Sequence, residues 1–150
     1  MAFCTSIQCM VGRIQDPIIK YFKENHHIAY LDVITEPGPR KILAMNNDRI
    51  SVNSIIKRNE ISIKKHGSKL IAISGHHDCA GNPCDEEIQK QQIIKSIKYL
   101  KNIYSELKKI GLWIDNEWKI KGVYQAIHVE LLCRYSGCVG QKIFVLRQNG

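Results

Sequence analysis

The segment "GHHDCAGNPC", residues 75–84, places His76, His77, Asp78, Cys79 and Cys84 within ten positions, directly after the apolar run "SKLIAIS". Imidazoles and thiols at this density are metal-ligating types, and His76 with Cys79 has a His-x-x-Cys spacing. Spacing alone fits a ligand loop and a turn that happens to hold both residues equally well. Cys9, at the end of the apolar run "FCTSIQC", becomes a third ligand if the fold brings the ends of the two runs together. Two thiolates and one imidazole suit zinc, and three protein ligands leave a fourth tetrahedral position free, as in catalytic sites.

The elements around these residues make that meeting reasonable. "MAFCTSIQC" reads as a short buried strand. "DPIIKYFKEN" follows as a helix, with Asp16 as cap and Pro17 in its first turn. "IAYLDVIT" (28–35) is a second strand, closed by "EPGP" and a loop carrying Pro37, Gly38 and Pro39. Val52, Ile55, Ile56 and Ile63 recur at helical spacing between about Asp48 and His66, and Gly67 stops that run. "SKLIAIS" is a third strand ending at Gly75. Asp85, Glu86 and Glu87 open a long helix with the stripe Ile93, Ile97, Leu100, Tyr104 and Leu107. After Gly111 the pattern weakens: "LWIDNEW", "GVYQAIHVELLCRY" and "KIFVL" read as extended, with a turn at Gly137 and Gly140.

Strands alternating with helices imply an α/β fold: one domain over 1–150, with a mostly parallel central sheet of four to five strands flanked by helices. Ligands of such sheets gather at the carboxyl ends of the strands, where strand order reverses. Cys9, His76 and Cys79 fall at that edge if strands one and three are neighbours.

Composition narrows the partners. Hydrophobic residues at 44% and charged residues at 24% match a soluble globular chain, and no stretch is long and apolar enough for a membrane span. The amino terminus lacks the pattern of an export signal, so the expected location is cytoplasmic. There the six cysteines are thiols or metal ligands rather than a disulfide framework. The net charge of +8 comes from scattered lysines interleaved with Glu86, Glu87 and Glu106, which reads as a solvated surface and not a nucleic-acid patch. Cys84, Cys133 and Cys138 read as free thiols. His26, His27 and His66 sit at helix ends, where a positive charge is favourable.

"CMVGR" (9–13) followed by "GHHDC" (75–79) resembles the β-class carbonic anhydrases, whose pattern is Cys-x-Asp-x-Arg on strand one and His-x-x-Cys after strand three. A compact branch of that family is most similar, through "ITEPGP" and "GHHDCAGNP", over roughly residues 3–110. The resemblance implies Cys9, His76 and Cys79 as zinc ligands, a zinc-bound hydroxide that converts carbon dioxide to bicarbonate, a homodimer, and Arg13 as half of an Asp-Arg dyad. Val11 stands where the family has the aspartate. Asp78 or His77 then takes over its part, or activity persists at a reduced rate, or the site binds zinc without turnover. Arg13 must face solvent, find another acid such as Glu36, or hold an anion. A non-catalytic zinc module is the alternative from a different class. A zinc hydrolase acting on carbon disulfide or carbonyl sulfide keeps the chemistry and changes the substrate.

Overall fold

The computed structural model describes residues 2–125. The expectations for Cys133, Cys138, the turn at Gly137 and Gly140, and "KIFVL" lie outside the described residues. Five strands form one sheet: β1 (Phe3–Cys9), β2 (Tyr30–Glu36), β3 (Leu70–His76), β4 (Lys108–Ile114) and β5 (Ile120–Gln125). Their order is β2-β1-β3-β4-β5, all parallel except the β4–β5 pair. The mostly parallel sheet and the β1–β3 adjacency are those expected from the sequence.

β1 and β3 are buried along nearly their whole length because helices cover both faces. On one face, Ile18 and Phe22 of α1 (Gln15–His26) pack with Cys4, Leu70, Ala72, Ile110 and Leu112. Alternate strand positions Ile7, Ile71 and Ile73 point to the other face. They meet Leu43 of α2 (Pro39–Met45), Val52 and Ile55 of α3 (Arg49–His66), and Ile93, Ile97 and Leu100 of α4 (Glu86–Ile103). Each fully buried isoleucine or phenylalanine contributes about 2 kcal/mol by leaving water.

Several boundaries differ from the sequence reading. A 3₁₀ turn (Gly12–Ile14) precedes α1, so the helix begins at Gln15 and Asp16 sits in its first turn without capping it. α2 occupies what reads as a loop. Gly38, at φ 66, turns the chain and Pro39 starts the helix, but seven residues are too few for an apolar period to show. β2 runs to Glu36 and β3 to His76, each slightly later than expected. α4 stops at Ile103, although Tyr104 and Leu107 still pack on its cluster. Gly111 lies inside β4 rather than ahead of an extended segment. A Cβ there would stand 2.6 Å from Ile93 Cγ2 and 2.9 Å from Ile97 Cδ1, so glycine lets α4 lie close to the strand. α3 matches expectation at both ends: Asp48 accepts a hydrogen bond from the Ser51 N–H, and Gly67 closes the helix at φ 72.

His26 does not behave as a favourable charge at a helix end. Its pKa is lowered, first by burial against Tyr21 and Phe22 and then by Lys108 and His27. A folded-state pKa below the unfolded value means that the unfolded chain binds more protons as pH falls. This contribution to stability is therefore full above the unfolded value of about 6.5 and declines below it. The urea midpoint should fall on going from about pH 7.5 to about pH 5.5, and His26→Phe should flatten that dependence. An equal slope in the variant would assign the acid sensitivity to other groups.

Candidate metal centre

The site forms where β1 and β3 end side by side. Cys9 is the last residue of β1, His76 the last of β3, and Cys79 sits in the turn that follows. All three are buried, and their ligating atoms lie within 4.8 Å of one another. The Sγ atoms of Cys9 and Cys79 are 3.9 Å apart. Two thiolates on one tetrahedral zinc, each at about 2.3 Å from it, stand about 3.8 Å apart, so the spacing fits that metal.

The histidine is oriented by its own loop. Nδ1 lies 2.7 Å from the His77 carbonyl oxygen, which can only accept, so Nδ1 carries the proton and donates it. Nε2 is left with its lone pair, buried and without a hydrogen-bond partner. An orphaned imidazole nitrogen between two thiols is what a metal ligand looks like, and the Nδ1 bond is the usual outer-shell support for one.

The pKa of the Cys9 thiol is raised by the hydrogen bond to Cys79 and then by burial, against which the His76 ring works first and the backbone N–H groups of Gly38 and Val11 after it. Cys79 is lowered to about 5 by its bond with Cys9, against the cost of burial, with help from Arg40 and then the Asn82 N–H. The donors come from two loops held together by glycines. A Cβ on Gly81 would lie 2.6 Å from the Pro37 carbonyl carbon, and one on Gly38 would lie 2.9 Å from Asn82 Cβ. Both glycines are required for the loops after β2 and β3 to touch.

Arg13 and Asp78 lie outside this buried trio. Arg13 Nη2 reaches Asp78 Oδ2 at 3.3 Å, with both side chains more than half exposed. The guanidinium also stacks over Trp118, 4.6 Å from the ring centroid. Glu36 is not its partner, since it pairs with Arg58. Asp78 has φ 55, a left-handed conformation that Asp tolerates, so it shapes the turn and presents its carboxylate to Arg13 at once. Val11 is half-buried against the core, and its carbonyl accepts from Gln15 Nε2 at 3.1 Å. Gln15 Nε2 also holds the Cys9 carbonyl at 3.1 Å, which ties the start of α1 to the end of β1.

An open cleft of about 260 Å³ borders the centre, lined by Asp78, Cys79, Pro83, Cys84 and Gln89 among others. Cys84 lies on this cleft but outside the converging trio; its thiol meets Asn82 Oδ1 at 3.4 Å. Sequence reasoning missed Arg40, Gln89 and Trp118. No local pattern marks any of them, because each becomes a neighbour of the site only through contacts between distant elements.

A family model described as "Putative carbonic anhydrase" matches residues 1–124. The chain belongs to that family. The match runs past Gly111, where the sequence resemblance alone fades, and takes in most of β5. No curated protein matches the chain significantly. Among solved structures, the chain is similar to β-carbonic anhydrases of two fungi. One belongs to a pair of tetrameric enzymes from Sordaria macrospora, at 16% identity and TM-score 0.56, covering 79% of each chain. The other is CafA of Aspergillus fumigatus, at 13% identity and TM-score 0.55, covering 81% of this chain and 74% of that one. At these identities the likeness establishes the β-carbonic anhydrase fold.

Zinc titrated into chelator-treated protein should bind at about one ion per chain, through two thiolates and one imidazole. Cys9→Ser or His76→Ala should weaken binding at least about tenfold in competition with a chromophoric chelator. Equal affinity in either variant would place the metal elsewhere.

Proposed function

We propose that Cys9, His76 and Cys79 hold zinc and that the protein interconverts carbon dioxide and bicarbonate. The observation that carries this reading is the buried Cys-His-Cys trio with the unpartnered His76 Nε2, set at the carboxyl edge of a carbonic anhydrase sheet. Zinc held there would supply a Lewis acid that makes water nucleophilic near neutral pH. The adjoining cleft suits a small molecule rather than a large ligand.

In this reading Asp78 supplies the carboxylate that position 11 lacks. Arg13 fixes Oδ2 and leaves Oδ1 to accept or relay a proton at the mouth of the cleft, while Trp118 keeps the guanidinium in place. The Val11 side chain offers no acceptor and packs against the core. The four described cysteines are free thiols, which agrees with work in the cytoplasm. Edge strand β2 exposes Tyr30 and Val33, in keeping with assembly of at least two copies, and the Sordaria relative is tetrameric.

A second reading, a zinc-binding homologue without turnover, is favoured by the exposure of the Arg13–Asp78 pair, since solvent weakens such a pair. Stopped-flow hydration of carbon dioxide on zinc-quantified protein separates the two. Turnover above background, abolished in His76→Ala and reduced about tenfold to hundredfold in Asp78→Asn, is expected. Native protein at the background rate, with activity gained in Val11→Asp, would establish the second reading.

A further inference from the structure

Arg40 is fully buried, which is rare for a guanidinium. It stands near the start of α2, where Nη2 donates to Gln89 Oε1 of α4 and its own carbonyl accepts from Ser96 Oγ at 2.8 Å. Its Nε and Nη1 are buried without a hydrogen-bond partner. Among the described residues no carboxylate forms an ion pair with it. Arginine does not shed its proton in a protein, so a whole positive charge sits inside the fold. A buried ion of this kind is costly unless something balances it.

The place of that charge is specific. A Cβ on Gly75 would lie 2.9 Å from Arg40 Cδ and 3.0 Å from Nε, so glycine at this point of β3 makes room for the arginine. His76 is the next residue. Gln89, the one side chain that accepts from the guanidinium, shares the cleft with Cys79. The guanidinium stands behind Gly75 and the cleft wall that holds Cys79, where its charge favours an anionic sulfur. α2 and α4 thus deliver one unneutralised cation to the inner side of the Cys-His-Cys trio.

Resting on the reading that this trio holds zinc, we infer that Arg40 is a positioning residue of the centre, a buried counter-charge that supports its thiolate ligands from inside the fold. A purely structural role, bracing α2 against α4 through Gln89 and Ser96, makes different predictions.

The test is zinc affinity by competition with a chromophoric chelator, read beside thermal unfolding and the thiolate-to-cobalt absorption of cobalt-loaded full-length protein. Arg40→Met removes the charge and keeps most of the volume. It should fold with equal or higher stability, yet bind zinc about tenfold to hundredfold more weakly, with the cobalt band diminished. Arg40→Lys should recover part of that loss. Gln89→Glu leaves the arginine and gives it a rival carboxylate. It should weaken zinc binding while the protein stays folded, whereas a bracing role predicts unchanged affinity. Zinc binding within twofold of native in folded Arg40→Met overturns the inference. If Arg40→Met does not fold, unchanged affinity in Gln89→Glu does so. A native chain that binds no zinc would instead remove the metal reading on which the inference rests.

Discussion

The centre depends on the register of β1 against β3. Thr5 faces Ile71 and Ile7 faces Ile73, a constant offset of 66 positions. Continued along the strands, that offset sets Cys9 opposite Gly75, one residue short of His76. Parallel pairing gives both strands the same direction, so their carboxyl ends coincide and the chain leaves each on the same edge. From β1 it goes outward to β2, and β3 lies on the other side, so a crevice opens between the two exits. A slip of one residue would turn Ile7, Ile71 and Ile73 from one face to the other. The apolar clusters that hold the helices therefore also fix the separation of the thiols.

Two arginines near the centre illustrate how burial changes the role of one charge. Arg13 is half exposed, paired with Asp78 and stacked on Trp118, and water screens most of that attraction. Its pair is a matter of orientation more than of stability. Arg40 is sealed from water and, among the described residues, has no carboxylate in ion-pair contact, so its charge is far less screened.

Much of this was legible in the sequence for simple reasons. Strands buried on both faces read as continuous apolar runs, α3 carries its own cap and stop, and the candidate ligands sit at or just past the ends of those runs. What stayed hidden was tertiary. α2 is short and begins with glycine and proline, which locally spell a loop. Arg40 is a residue type expected on the surface, and only the gap above Gly75 admits it. The pairing of Arg13 with Asp78 depends on a left-handed turn at Asp78, and Glu36, the acid named from sequence, is drawn to Arg58 by α3. His26 occupies a position where a helix end would favour charge, but burial against two aromatic rings outweighs the helix dipole.

The absence of an acid at position 11 acquires a physical context from the donors around the sulfurs. Two thiolates neutralise zinc and would blunt its pull on a bound oxygen, so an acidic centre needs electron density drawn off the sulfurs instead. Backbone N–H groups of Gly38 and Val11 favour a Cys9 anion, and the Arg40 guanidinium and then the Asn82 N–H favour one at Cys79. Val11 contributes there through its backbone, which any residue would supply, so the loop can lose the aspartate side chain without losing its grip on Cys9. The close glycine contact between the Pro37–Gly38 and Gly81–Asn82 segments brings donors for both sulfurs into one rigid unit. Donors around the two sulfurs and the carboxylate of Asp78 are therefore separable features of the fold, one built from the loops after β1, β2 and β3 and the other from the left-handed turn after β3.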